Sequence, residues 1–299
     1  MKNKFVAKPF VKWAGGKTQV LEDIRLVYPP GLGGRINKYA EPFAGGGAVL
    51  FDILNRFALD EAYISDSNGD LINAYIAVRD NVDTLTGALR GLEKQYLAAG
   101  REKRREIYYE KRDEFNGLKT GNGMTAEAAA LFLFLNRTCY NGLYRVNSKG
   151  LFNVPQGEYK NPRICDGENL RAVSEKLRNV TVVHGDYRLA GNFIDDRTFA
   201  YFDPPYRPLS ATSNFTSYTQ AGFDDRSQEE LARFIGEMSG RGAFIAVSNS
   251  DPANTDGSGR FFEELYAGYS IRRIKAARAI NASAAGRGRI RELLITNGR

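Results

Sequence analysis

The spacing of apolar positions changes several times along this 299-residue chain, and each change marks an element. Short apolar runs bounded by Gly, Pro, Asn or Asp predict strands at 36–41, 62–64, 180–184, 198–203, 243–248, 269–276 and 290–296. Apolar residues recurring every three or four positions predict helices at 18–27, with Thr18 as N-cap candidate, and at 48–57, 126–135 and 227–239. Residues 70–117 read as mostly helical, through Leu71, Ile72, Tyr75, Ile76 and then Val82, Leu85, Leu89, Leu92, Tyr96. Between 136 and 162 the composition shifts to Asn, Gly, Tyr, Arg and Lys, and two β-like runs flank Asn147-Ser148-Lys149-Gly150, predicting a hairpin. Strands alternate with helices on both sides of this middle stretch. The expected class is therefore α/β, a Rossmann-like sheet in two halves separated by a helical-plus-hairpin insertion.

Composition adds only bounds. At 42% hydrophobic and 26% charged, the chain is long enough to bury a large core. Lys and Arg outnumber Asp and Glu by 42 to 35, a net +7 that favours an anionic partner such as nucleic acid without requiring one. Two cysteines, Cys139 and Cys165, are too few for a disulfide framework or a four-thiolate zinc site. A single histidine, His184, disfavours a Ser-His-Asp triad and His-rich metal sites, so no metal is expected. No leader-like or membrane-length apolar run is present, which predicts a protein of the reducing cytoplasm.

The chemistry concentrates where the predicted strand at 198–203 stops, at Asp203-Pro204-Pro205-Tyr206. Neither proline donates a ladder hydrogen bond, and Pro205 keeps Pro204 out of the α region, so the strand ends in a stiff turn. A carboxylate, a carbonyl and an aromatic plate then stand together. They suit a planar ring with an exocyclic amino group, which donates to both acceptors while the ring stacks on Tyr206. An ordinary strand end with a solvated aspartate is the plainer reading of the four residues alone.

A second focus is Pro42-Phe43-Ala44-Gly45-Gly46-Gly47 between a strand and a helix. Gly45 and Gly47 match the first two glycines of G-x-G-x-x-G, whereas Leu50 takes the third place. Asp66, about twenty residues on, suits the hydroxyls of a ribose; its other reading is a helix N-cap, beside Ser65 and Asn68. Upstream, Ala14-Gly15-Gly16-Lys17-Thr18 resembles the tail of a phosphate loop, but Val11 stands where the first glycine would be. Lys17 remains either a solvated side chain or a point charge on a loop that a ligand can approach closely.

Six motifs in this order, FVKWAGGK, EPFAGGGAVLF, SDSN, NGLYRVN, FNVPQGEYKNP and DPPYRPLSATSNFTSY, together resemble the Dam family of S-adenosylmethionine-dependent DNA adenine-N6 methyltransferases. The closing NASAAGRGRIRELLITN is more weakly similar. The resemblance implies a catalytic domain from 1–70 and 166–299 and a DNA target-recognition domain at 71–165. It implies Asp203, Pro204, Pro205 and Tyr206 as the catalytic motif. Trp13, Lys17, Phe43, Gly45, Gly47, Asp66, Asp186 and Asp203 would bind adenosylmethionine. Lys12, Tyr140, Asn141 and Arg145 would face DNA, and Ser210, Thr212 and Asn214 would meet backbone phosphates. The implied partner is double-stranded DNA, methylated at the adenine of GATC after base flipping, by a monomer with or without a cognate restriction endonuclease.

Two other readings keep much of the sequence. One retains the fold and cofactor and moves the methyl group to RNA or protein. The other is a non-catalytic DNA-binding relative. A cytosine-C5 enzyme is disfavoured, since neither Cys139 nor Cys165 follows a proline.

Overall fold

The computed structural model describes residues 6–120, 124–207, 223–252, 260–277 and 289–298. A 3-10 turn (Lys17–Val20) leads into α1 (Leu21–Arg25), followed by β1 (Lys38–Glu41), α2 (Ala48–Arg56) and β2 (Glu61–Asp66). Four helices come next, α3 (Gly69–Asp80), α4 (Val82–Ala98), α5 (Arg101–Lys119) and α6 (Ala126–Thr138). The chain continues through α7 (Gly167–Leu177), β3 (Val180–His184), a 3-10 turn (Tyr187–Asn192) and β4 (Thr198–Phe202). It closes with α8 (Asp225–Gly240), β5 (Phe244–Ser250), α9 (Phe261–Leu265), β6 (Ser270–Ala277) and β7 (Arg289–Thr296). This is the α/β, Rossmann-like class expected from the alternation of patterns. Two compact units are formed, one from residues 1–16, 45–55 and 66–185, the other from 17–44, 56–65 and 186–299.

The second unit carries a mixed sheet in the order β2-β1-β4-β5-β7-β6. β1, β2, β4 and β5 run parallel, and β7 lies antiparallel between β5 and β6. Every residue of β4 is buried, as expected of a central parallel strand covered on both faces. Tyr39, Phe199, Tyr201 and Phe202 are among the largest fully buried side chains, and the Tyr201 hydroxyl is satisfied by Ser248 Oγ at 2.7 Å. β1 lies between β2 and β4, so the strand order reverses beside it. A ligand-binding crevice in such sheets opens beyond the carboxyl ends of the strands at that switch. The glycine turn follows β1, and Asp203 follows β4.

In the first unit α6 is apolar on every side and packs against α3, α4 and α5. Thr125 caps it by accepting the Ala128 N–H. α5 buries only Ile107, Tyr108 and Phe115, so most of its charged residues form the outer face of an amphipathic helix.

Two expectations need correction. The helix expected at 18–27 is a 3-10 turn followed by the five residues of α1, without a side-chain cap, and Thr18 is exposed. Burial of Lys17 and Val20 fixes that turn instead. The hairpin at 143–154 contains a single antiparallel bridge, Val146 to Phe152, with the Asn153 N–H donating to the Arg145 carbonyl. It does not lengthen into a ladder because Tyr144 and Phe152 turn inward, against Phe132 and Phe115 respectively.

Candidate active site

In the second unit, β4 delivers Asp203 to the carboxyl edge of the sheet. Lys17 Nζ lies 2.7 Å from Asp203 Oδ2, and the lysine is only 4% exposed. Asp203 Oδ1 is buried and has no hydrogen-bond partner among the described residues. Burial pushes the Asp203 carboxyl up to about 6; Lys17 opposes the rise and Glu292 adds to it. Such a group is charged at neutral pH yet close to its titration point.

Tyr206 stands beside this pair, its ring centroid 4.9 Å from Lys17 Nζ. Its hydroxyl donates to Glu292 Oε2 at 2.8 Å. The Pro205 carbonyl accepts from Gln228 Nε2 at 3.1 Å, anchoring the turn to α8. Phe43 stacks on Tyr187 with centroids 5.5 Å apart. Asp186 is exposed and accepts from Arg188, through both its backbone N–H and its guanidinium.

The first unit holds the remaining expected cofactor residues. Gly45 and Gly47 have φ of 48° and 72°. A Cβ on Gly47 would lie 2.5 Å from Tyr75 Oη and 2.9 Å from Phe51, so only glycine fits there. Asp66 Oδ2 accepts the Gly45 N–H at 3.1 Å, and Oδ1 accepts the Asn68 N–H at 2.9 Å. Burial raises the Asp66 carboxyl, while those two N–H groups oppose the rise. The cap of α3 is Asn68, which accepts the Leu71 N–H, so Asp66 does not serve as the N-cap. Trp13 packs against Tyr144 at 5.7 Å.

Residues expected at DNA are also in this unit. Lys12 Nζ sits 4.4 Å from the Tyr159 ring centroid, and burial lowers its pKa. Tyr140 is 52% exposed, and Asn141 has the positive φ of 54° that its short polar side chain tolerates. Arg145 is exposed and donates to Asn153 Oδ1 and the Asn153 carbonyl. Ser210, Thr212 and Asn214 lie outside the described residues.

Two residues at these sites were absent from the sequence reading. Glu292 is a lone carboxylate in a strand otherwise rich in Leu and Ile, a signal available in the sequence but without a partner there. Asn136, buried in α6, accepts the Lys12 N–H at 2.8 Å and donates to the carbonyls of Lys12 and Gly142 at 2.8 and 3.2 Å. Nothing in its local pattern singles it out. Cys139 is buried, with its thiol pushed up to about 12, unsuited to act as a nucleophile at neutral pH.

Residues 13–280 match the family described as D12 class N6 adenine-specific DNA methyltransferase. The chain is 48% identical over 292 residues to the Type II methyltransferase M.MjaIII of Methanocaldococcus jannaschii, covering 97% of this chain and 99% of that protein. It is 39% identical over 298 residues to the Type II methyltransferase M1.LlaDCHI of Lactococcus lactis, covering 99% and 97%. It is 35% identical over 288 residues to the DNA adenine methylase of Escherichia coli K12, covering 96% and 94%.

Proposed function

The chain belongs to the D12 class of N6 adenine-specific DNA methyltransferases, and from that premise we propose that it methylates the adenine of GATC in duplex DNA, using S-adenosylmethionine. The observation that carries the reading is the divided state of Asp203, one oxygen held by Lys17 and the other buried with no hydrogen-bond partner among the described residues. An adenine amino group is a poor nucleophile because its lone pair is delocalised into the ring. Accepting an N6–H at Asp203 Oδ1, with the Pro204 carbonyl as second acceptor, favours a pyramidal nitrogen and frees that pair. The same carboxylate, titrating near 6, is suited to take the proton that N6 sheds. Tyr206 offers a face in place of the stacking an extruded base loses.

When bound, adenosylmethionine supplies a methyl group already made electrophilic by its sulfonium. The residues present fit it: Gly45 and Gly47 allow close backbone approach, and Asp66 keeps spare acceptor capacity for ribose hydroxyls. Trp13 is assigned to the same ligand, with Lys17 and Asp203 toward the methionine end, Phe43 with its glycine turn beneath the methionine and ribose, and Asp186 toward the adenine. No covalent enzyme intermediate is needed, and the protein contributes alignment and electrostatics.

For target selection, Arg145 is exposed and offers the donor fork that guanine N7 and O6 accept. Lys12, Tyr140 and Asn141 join it at the DNA, and Ser210, Thr212 and Asn214 meet phosphates. The Type II names of two relatives support a functional pairing with a restriction endonuclease, and we take the working unit to be a monomer in the cytoplasm. Sequencing with modified-base detection, on DNA from cells expressing this chain, tests base, position and recognition sequence together. Methylated adenine at GATC is expected. Radiolabel transfer to RNA or protein, or to nothing, would instead favour the other two readings.

A further inference from the structure

We propose that Glu292 is the positioning residue of the target-base site: it accepts the Tyr206 hydroxyl and so holds the aromatic plate beside Asp203. The inference rests on the reading that Asp203 and Tyr206 receive the flipped adenine. Its geometry is independent of that reading. Glu292 is 9% exposed on β7, and Tyr206 Oη donates to its Oε2 at 2.8 Å across 86 residues of sequence. A carboxylate in an apolar strand is costly unless satisfied, so its position calls for a local reason. Tyr206 otherwise sits on the stretch after a strand, where Gln228 and the Arg207–Asp225 pair hold the backbone on either side but not the ring itself. Its phenol is tied at one end to Glu292, and its ring is flanked at 4.9 Å by the Lys17 ammonium. The hydrogen bond removes rotational freedom that stacking would have to remove during base capture.

Glu292 also acts on the acceptor. Asp203 is faced by Lys17 from the 3-10 turn, Glu292 from β7, Tyr206 from its own turn, and Tyr201 from β4. Of these, Glu292 is the second negative charge, and it disfavours ionisation of Asp203. Glu292→Gln removes the charge and keeps a carbonyl acceptor for the phenol. Glu292→Ala removes both. The two variants separate orientation from electrostatics.

The test is single-turnover methylation of a GATC duplex across pH, with cofactor affinity measured by calorimetry, for wild type, Glu292→Gln, Glu292→Ala, Tyr206→Phe and the Tyr206→Phe/Glu292→Ala double variant. Glu292→Ala is expected to slow methyl transfer by about ten- to a hundredfold, the range for losing a hydrogen bond to a charged group, with cofactor affinity retained. Glu292→Gln should recover most of the rate at alkaline pH and move the acid limb to lower pH. At alkaline pH, where Asp203 is ionised in every variant, Tyr206→Phe should match Glu292→Ala, and the double variant should be no slower than either single one. Wild-type rates in Glu292→Ala, or additive losses in the double variant, would overturn the proposal. If Glu292→Ala does not fold, the pH limb of Glu292→Gln and the rate of Tyr206→Phe decide: an unshifted limb together with an unchanged rate overturns it. Asp203→Ala serves as the discriminating control, since full activity there refutes the active-site reading itself, whereas an inactive Asp203→Ala beside a wild-type Glu292→Ala refutes only this inference.

Discussion

Lys17 and Asp203 share one short contact, 2.7 Å from Nζ to Oδ2, and that contact divides the carboxylate into a held oxygen and one with no hydrogen-bond partner among the described residues. The lysine comes from the turn after Gly15-Gly16, and the aspartate from the end of the central strand. Asp203→Ala should reduce methylation by about a hundred- to a thousandfold, as removal of a preorganised polar group does. It should also remove the carboxylate paired with the buried Lys17 ammonium, lowering stability, seen as a lower melting temperature. Lys17→Met leaves the carboxylate without its cation and should lower both adenosylmethionine affinity and rate. Calorimetry and single-turnover kinetics on the two variants check these outcomes; an active Asp203→Ala removes the residue from the mechanism.

The pH dependence follows from the same carboxyl. Asp203 must be ionised to accept a proton or an N–H, and its value in the folded chain is about 6. Methylation should therefore be full above that value and fall as pH drops through it, where an unburied aspartate would hold activity to about 4. The profile of kcat/KM against pH reports this limb for the free enzyme. A limb near 4 would mean that burial does not govern Asp203 in solution.

Asp66 should matter for the cofactor and little for DNA. It accepts two backbone N–H groups, so Asp66→Ala also loosens the Gly45 turn. Weaker adenosylmethionine binding with unchanged duplex affinity is the expected pair of results. Unchanged cofactor binding would contradict the assignment.

Asn136→Ala tests how the Lys12 segment is held. The substitution strips the acceptor of the Lys12 N–H and the donor to two carbonyls. With Asn136 only 3% exposed, the loss should cost about 2–3 kcal/mol, seen as a lower melting temperature. Discrimination between GATC and duplexes changed at one end of the site should relax as well, while cofactor affinity holds. Retained discrimination would separate Lys12 from base readout.

Arg145→Ala should relax selection at one base pair by about ten- to a hundredfold, the discrimination one bidentate guanine pair supplies. A phosphate-contacting lysine would instead weaken all sequences alike. In the free chain the guanidinium donates to Asn153 through Nε and Nη2, which orients the side chain and leaves its other donors for a base. Kinetics on single-base variants of GATC, for wild type and variant, provide the check.

How much was legible beforehand depended on range. The period of apolar residues along β4, α6 and α8 is a local property, and so are the prolines that stop β4 and the glycines of the first turn. From these the α/β class, the order of elements and the placement of Asp203, Gly45, Gly47 and Asp66 at strand ends could be read directly. The hairpin was over-read, because the alternation of Tyr144 and Phe152 signals burial, and only packing decides whether buried residues face a partner strand or a helix. Pairings across the chain had no local signature. Lys17 to Asp203, Tyr206 to Glu292 and Asn136 to Lys12 each join residues whose own neighbourhoods permit several partners. A carboxylate's meaning depends on what desolvates it and what charge stands beside it, and both are set by which elements pack together. The sequence by itself thus determined the chemistry available and the strand ends that present it; the tertiary structure decided which oxygen of Asp203 Lys17 holds and what orients Tyr206.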